Sequence, residues 1–150
     1  MRDAYNVPSE QEPLQRFLDG VVDPGWLGDW LPEIGQATRA GRRFRRVRVV
    51  SLPLTDYSRF GLTYAAFNNE AGEDIRYLAR EDAADLPTFD YWLFDSRTVA
   101  KLVFGDQDKL LGFELIQDPA VVVELNYQRD AAWHHAITRD DFAAKHLDKR

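Results

Sequence analysis

The stretch Arg43–Arg80, which opens with RFRRVRVVSLPLTDY and closes with AGEDIRYLAR, decides the fold of this chain. Its first part is rich in valine, and β-branched residues favour extended strands. An apolar-periodic segment follows Pro53 and predicts a helix to about residue 69, where Gly72 ends it. Residues 75–79 then alternate in polarity, as a second strand does. The order strand, helix, strand predicts two parallel neighbouring strands joined by a right-handed crossover.

Three more strands are predicted after this unit. The apolar runs 91–94, 99–104 and 110–116 are separated by short polar turns, which is typical of antiparallel neighbours. The sequence therefore predicts a single α/β (α+β) domain over residues 1–150. Its sheet is expected to be mixed, with about five strands, a βαβ unit, an antiparallel meander and helices packed on it.

Helices are predicted at both ends of the chain. Residues 9–22 and 33–40 show short amphipathic patterns. A longer helix begins at Asp118-Pro119, because aspartate caps helix N-termini and proline suits the first helical position, and it runs to about residue 137. Residues 138–150 form a strongly charged C-terminal tail, with two open alternatives: a last short helix or a frayed end.

Composition limits the protein class. The 150 residues include 45% hydrophobic and 29% charged side chains, as in ordinary globular domains. No apolar run reaches the roughly 20 residues of a membrane span, and the N-terminus lacks the core of a signal peptide. We therefore expect a cytoplasmic protein. The net charge of −6 makes direct nucleic-acid binding by the whole surface an unlikely function.

Arginines on the first strand are the main candidate ligand site. Alternate residues of a strand share a face, so Arg46 and Arg48 lie together and could bind a phosphate or carboxylate. The alternative is a set of surface ion pairs with nearby acids. Parallel pairing would bring the two strands within about 5 Å. The full candidate anion-binding set is Arg46, Arg48, Glu73, Asp74, Arg76 and Arg80.

Two tryptophans in a breaker-rich segment are the candidate partner site. Trp26 and Trp30 are four residues apart and could share one face of a helical turn. Tryptophan is enriched at binding hot spots, which favours an exposed aromatic patch. The alternative is that both rings cover the edge of the core beneath a loop.

Motifs for catalysis and metal binding are missing from the sequence. There is no cysteine, and His134 and His135 are adjacent, so on a helix they diverge by about 100° and do not chelate one ion. No nucleophile elbow and no glycine-rich phosphate loop occurs. Carboxylates at strand ends, such as Asp90 and Asp95, could form a hydrolytic site, although they more often cap turns. We therefore predict no catalytic residue, no metal site and no cofactor.

Five motifs, spread over about residues 2–137, resemble a family of small actinobacterial proteins of unknown function. They are Arg-Val-Arg-Val-Val, Pro-Leu-Thr-Asp-Tyr-Ser-Arg-Phe, Ala-Gly-Glu-Asp-Ile-Arg-Tyr-Leu-Ala-Arg, Phe-Asp-Tyr-Trp-Leu-Phe-Asp and Arg-Asp-Ala-Ala-Trp. Genes of that family often lie beside small helix-turn-helix regulators, so the resemblance implies a regulatory partner. The element order is more faintly similar to one half of a phospholipase-D-like fold. That fold's His-x-Lys motif is absent here, which implies a catalytically dead half.

Two main functions follow from these observations. The first is a noncatalytic cytoplasmic regulatory module that binds a protein partner, such as a helix-turn-helix transcription regulator, or forms a homodimer. The second is an enzyme or binding domain for an anionic small molecule or nucleotide that the strand-face arginines hold. Direct binding of nucleic acid is a third and weaker alternative.

Overall fold

The computed structural model describes residues 1–147, which fold as one mixed α/β domain with five helices and two three-stranded sheets. The helices are α1 (Gln11–Leu18), α2 (Trp30–Arg39), α3 (Asp56–Ala71), α4 (Pro119–His135) and α5 (Arg139–His146). The strands are β1 (Arg45–Val50), β2 (Asp74–Ala79), β3 (Tyr91–Phe94), β4 (Thr98–Phe104), β5 (Leu110–Ile116) and β6 (Ile137–Thr138). The predicted fold class is confirmed.

The first sheet has the order β1-β2-β6. Strands β1 and β2 are parallel, from the pair Arg45 and Asp74 to the pair Val50 and Ala79, so the predicted strand–helix–strand unit is confirmed. The two-residue strand β6 adds to β2 in antiparallel orientation. The sequence pattern did not predict β6, because two residues carry no periodicity.

The second sheet is an antiparallel meander with the order β3-β4-β5. Its three strands lie where the alternating pattern predicts them. The prediction of one sheet of about five strands is wrong, however, because in the described part of the chain β1 pairs only with β2 and β3 pairs only with β4. Strands β1 and β3 are therefore edge strands of two separate sheets, whereas in one continuous sheet they could have paired with each other.

Helix α3 is fixed at both ends by its sequence. The hydroxyl of Thr55 accepts a hydrogen bond from the Ser58 amide at 3.1 Å, which caps the N-terminus. Gly72 ends the helix at φ +118°, and a Cβ at this position would clash with Oγ1 of Thr38 in α2. Only glycine meets both the dihedral angle and the close approach.

The main core lies between the first sheet and helices α3 and α5. Leu62 of α3 is fully buried, and Tyr77 of β2 stacks on Phe142 of α5 with ring centroids 5.2 Å apart. The charged segment that follows residue 137 thus contains a helix whose apolar side belongs to the core. Residues 148–150 of the predicted tail lie outside the described part of the chain.

A second, smaller core joins α4 to the meander. Val122 and Leu125 of α4 pack on Val99 of β4, and Asp118 caps the helix by accepting from the Val121 amide at 3.2 Å. The N-terminal segment connects the two halves of the domain. Asp3 accepts hydrogen bonds from the amide and hydroxyl of Ser51 at 2.8 and 2.7 Å, next to the first sheet.

Candidate functional site

A cavity of about 400 Å³ lies between the open edges of β1 and β3. Five consecutive residues of β1, 45–49, line it, and so do residues 89–93 at the start of β3. Helix α4 contributes Gln128 and Arg129, and the N-terminal segment contributes Tyr5. We call this cavity the cleft. Its volume is within the range of about 300–1,000 Å³ that is usual for ligand sites.

Arg48 extends from β1 into the cleft without an ion pair among the described residues. Among residues 1–147, no carboxylate oxygen lies within 4 Å of its guanidinium, and no side-chain hydrogen bond forms there. Burial acts to lower the pKa of Arg48. The oxygens of Tyr77, Tyr57, Tyr5 and Glu10 around it outweigh burial and raise that pKa. Arg48 is therefore a charged, half-buried group.

Two tyrosine–carboxylate pairs form the wall of the cleft next to Arg48. The hydroxyl of Tyr57 donates to Oε2 of Glu10 at 2.6 Å, and the hydroxyl of Tyr5 donates to Asp90. Burial, together with the neighbouring carboxylate, raises the pKa of both tyrosines. The hydroxyls therefore stay protonated, and each donates to an acid in the wall of the cleft; Asp90 is also paired with the N-terminal ammonium at 2.9 Å.

Arg46, also predicted as a ligand residue, is already paired. Its Nη2 donates to Oε2 of Glu73 at 2.9 Å, and its Nε faces Oε1 in the same ion pair. Asn68 donates to Glu73 as well, at 3.1 Å, and the Glu73 side chain is 0% exposed. Burial is the main cause that lowers the pKa of Arg46. This network connects β1, α3 and the start of β2. Its role is therefore to hold these elements together rather than to bind a ligand.

The other members of the predicted anion site lie elsewhere. Asp74 and Arg76 are 3.7 Å apart on the opposite face of the first sheet, where Arg76 also covers the Trp133 ring at 4.0 Å. Arg80 lies beyond the end of β2 and contacts Asp3 at 3.2 Å. The six residues therefore divide into three groups, because alternate residues of a strand point to opposite faces.

The predicted partner site also divides. Trp26 is half-buried, stacked on Phe60 with centroids 5.4 Å apart and edge-on to Tyr64 at the same distance. Trp30, at the first turn of α2, is 38% exposed. The expectation of a shared aromatic face is wrong, since the two residues lie in separate helical turns on either side of Gly28.

A different apolar surface is exposed on the second sheet. Phe94, Phe113 and Leu115 are 54%, 57% and 72% exposed. The strand register places them on the face opposite α4, which packs on the other side. We call this surface the open face. Large contiguous apolar surfaces are uncommon on monomers and often mark interaction sites.

Groups for catalysis do not gather in the described part of the chain. Within residues 1–147, no three His, Asp or Glu side chains come together in a way that could hold a metal ion. His134 and His135 are exposed at the C-terminal end of α4. None of the described helices is long and apolar enough to cross a membrane.

Several residues of the cleft could not be found from the sequence. Tyr5, Glu10 and Tyr57 come from segments far apart in the chain, and none belongs to a local motif. Trp92 lies in the predicted third strand, but its position 5.8 Å from the Arg46 guanidinium depends on how the two sheets meet. The available signal was the unusual density of arginine on β1, which did identify Arg48.

Comparison with known families gives one match. The model of the family described as domain of unknown function (DUF6879) matches residues 1–144. No curated protein and no solved structure gives a significant match. The faint similarity to a phospholipase-D-like half therefore stays a prediction from the order of elements. Because the matched region covers nearly the whole sequence, the chain belongs to the DUF6879 family, a domain of unknown function.

Proposed function

We propose that the protein is a noncatalytic binding module that recognises an anionic group in the cleft. The observation that carries this proposal is the position of Arg48, a cation that extends into a cavity of about 400 Å³ and has no carboxylate within 4 Å among residues 1–147. An arginine guanidinium can hold a carboxylate or a phosphate through two parallel hydrogen bonds. The proposed setting is the cytoplasm of an actinobacterium.

Electrostatics supports a ligand at this position. Taking a charge out of water costs several kcal/mol unless a partner compensates for it. Arg46, two residues earlier, has such a partner in Glu73, whereas Glu10 acts on Arg48 without forming an ion pair and accepts a hydrogen bond from Tyr57. An anion that entered the cleft would supply the missing charge and would exclude water from the aromatic walls.

Substitution of Arg48 tests the proposal. Inorganic phosphate, glutarate and AMP are titrated while the melting temperature is recorded for the wild type, Arg48→Met and Arg43→Met. Saturation of a single site at one hundred times Kd adds about 2.7 kcal/mol, or about 5–10 °C. We expect at least one anion to give this shift in the wild type and in Arg43→Met, an exposed control outside the cleft, and none in Arg48→Met.

The unliganded variants provide a second readout. Replacing an unpaired, half-buried charge by an apolar side chain of similar length is often neutral or stabilising. We expect Arg48→Met to melt at or above the wild-type temperature without ligand. Equal anion shifts in all three proteins, or no shift with any of the three anions, would contradict the proposed function.

The open face favours a second candidate function, the binding of a protein partner. Phe94, Phe113 and Leu115 present apolar side chains that nothing covers within residues 1–147. The occupant that we propose for this face is a small helix-turn-helix regulator, in keeping with the gene neighbourhood that the family resemblance implies. An amphipathic helix of such a regulator could lay its apolar side on the open face.

Pull-down from the native host tests this second function. We expect the wild type and Val123→Ser to recover one small regulator in stoichiometric amount, and Phe113→Ser to lose it. Val123 is a matched control because it is an exposed apolar residue of α4, away from the open face. Recovery of the protein alone, with a dimeric mass that Phe113→Ser abolishes, would replace the regulator by a homodimer. Unchanged recovery with Phe113→Ser would contradict both.

A further inference from the structure

We propose that the cleft binds an extended peptide segment of a protein partner, which lies as a strand between β1 and β3 and places an acidic side chain at Arg48. This inference rests on the proposed anion recognition and deepens it by naming the class of ligand. It concerns a different surface from the open face. The evidence comes from the two strand edges, the charges of the cleft and the position of Arg48.

Strand β1 directs half of its backbone groups into the cleft. The Asp74 amide donates to the carbonyl of Phe44, so every second residue from Phe44 onward points its N–H and C=O towards β2. Arg45, Val47 and Val49 then point theirs to the opposite edge. No strand pairs with that edge in the described sheets, and residues 45–49 line the cleft.

Strand β3 also directs half of its backbone groups into the cleft, from the side opposite β1. The Leu102 amide of β4 donates to the carbonyl of Asp90, and the Arg97 amide donates to the carbonyl of Phe94. Alternation therefore leaves the backbone groups of Tyr91 and Leu93 on the open edge. These residues also line the cleft. Two open edges consequently line one cavity, and we infer that an inserted strand pairs with both.

An extended segment fits this geometry better than a compact anion. A strand rises about 3.3 Å per residue and pairs with neighbours about 4.8 Å away on each side. Three or four inserted residues could therefore pair with both edges and join the two sheets into one. A small anion would neutralise Arg48 and leave most backbone groups of the two edges as they are, although the Val49 carbonyl already accepts from Nη2 of Arg80 at 3.5 Å. Addition of a strand to an open sheet edge is a common mode of peptide recognition.

The charges of the cleft select an acidic segment. Arg45 and Arg48 line it without an ion pair among residues 1–147, whereas Arg46 and Arg129 are paired with Glu73 and Asp130, and the acids Glu10 and Asp90 accept hydrogen bonds from tyrosines. Side chains of an inserted strand alternate between the α3 side and the α4 side. A glutamate or aspartate on the α3 side would reach Arg48. Apolar neighbours would contact the aromatic walls that Trp92 and Phe104 provide.

Selection from a random heptapeptide phage library tests the proposal without a known partner. The full chain is the target, and Arg48→Met is the counter-target. We expect enriched peptides with one acidic residue inside an alternating apolar pattern. The synthetic peptide should bind at least tenfold more weakly when its acidic residue is changed to the amide or when two alternate backbone nitrogens are methylated. Methylation removes strand hydrogen bonds and leaves the charge in place.

Residue-resolved hydrogen exchange of the complex identifies the bound geometry. We expect new protection at the amides of Arg45, Val47, Val49, Tyr91 and Leu93, and little change at Arg46 and Arg48, which already face β2. Failure to enrich acidic peptides, or tight binding by the methylated peptide, would overturn the inserted strand. If phosphate or glutarate still raised the melting temperature through Arg48, anion recognition would stand alone. Peptides that bind Arg48→Met equally well would contradict both proposals.

Discussion

Nη1 of Arg48 lies 3.2 Å from the point where a Cβ on Gly61 would be. Gly61 is inside α3, where glycine costs about 1 kcal/mol relative to alanine. The missing side chain leaves room for the guanidinium beside the helix. The residue of α3 that lies beside Arg48 is thus a glycine, which lowers the helix propensity but leaves space for a side chain of the candidate site.

Gly61→Ala is expected to weaken ligand binding in the cleft without unfolding the protein. The Cβ crowds Arg48 by a few tenths of an ångström, and this partly cancels the gain of about 1 kcal/mol in helix propensity. Titration of the active anion and urea unfolding measure the two effects. When Gly61→Ala is combined with Arg48→Met, the guanidinium is no longer crowded, so the full gain in unfolding free energy of about 1 kcal/mol should appear. Equal affinity of wild type and Gly61→Ala would show that the contact does not position Arg48.

Glu73→Gln should destabilise the domain strongly. The change keeps the shape of the side chain but leaves the charge of Arg46 without its partner, at an expected cost of about 3 kcal/mol in the free energy of unfolding. Chemical denaturation measures it. Asp74→Asn is the control, because Asp74 is exposed and its expected change is within about 0.5 kcal/mol. Similar losses for both variants would argue against a special role of the buried pair.

Asp3 should make stability depend on acid pH. Burial acts to raise its pKa, but hydrogen bonds from Ser51 and the contact with Arg80 outweigh burial and lower it. A carboxyl whose folded pKa is lowered stabilises the protein above its unfolded pKa of about 3.9. That stabilisation is lost as the pH falls from about 4 through the lowered folded value.

Urea unfolding of wild type and Asp3→Asn across this range measures the effect. The stability difference between the two proteins should be largest near neutral pH and should shrink at the lowest pH values. Asp106→Asn, at an exposed position, is the control for the removal of one carboxylate. A difference for Asp3→Asn that stays constant with pH would contradict the assignment.

Phe142→Ala tests whether the charged C-terminal segment belongs to the core. Phe142 is 2% exposed and stacks on Tyr77, so its truncation should cost about 3–5 kcal/mol. Lys145→Ala, on the exposed side of the same helix, should change stability by less than about 0.5 kcal/mol. Calorimetric unfolding compares the two. A small effect of Phe142→Ala would mean that α5 contributes little to folding.

The two tryptophans should behave differently. Trp26→Ala removes a ring that stacks on Phe60 and contacts Tyr64, so we expect a loss of about 3 kcal/mol in stability. Trp30→Ala should have a much smaller effect because the ring is 38% exposed. Thermal unfolding of the two variants and the wild type measures these losses. If neither variant melts earlier and both lose a partner in pull-down, the aromatic patch predicted from the sequence would be supported instead.

Local patterns predicted most elements well. Thr55, Gly72 and Asp118 mark helix ends through their own side chains or dihedral angles, and these positions are confirmed. The meander followed from alternation and short turns. Such signals are local in the chain, so one sequence is enough to find them. The candidate anion site was found only in part, because spacing along a strand placed Arg46 and Arg48 together but could not show that Glu73 binds one of them.

By itself, the sequence determined the fold class, the parallel pairing of the first two strands and the presence of arginines on one strand face. Only the tertiary structure decided that β1 and β3 remain apart, that α5 enters the core and that Arg48 forms no ion pair within residues 1–147. The physical reason is the distance along the chain between the residues that determine each feature. Helix caps, turns and alternation depend on neighbouring residues, whereas the cleft depends on how two sheets, an N-terminal segment and α4 meet across distant parts of the chain.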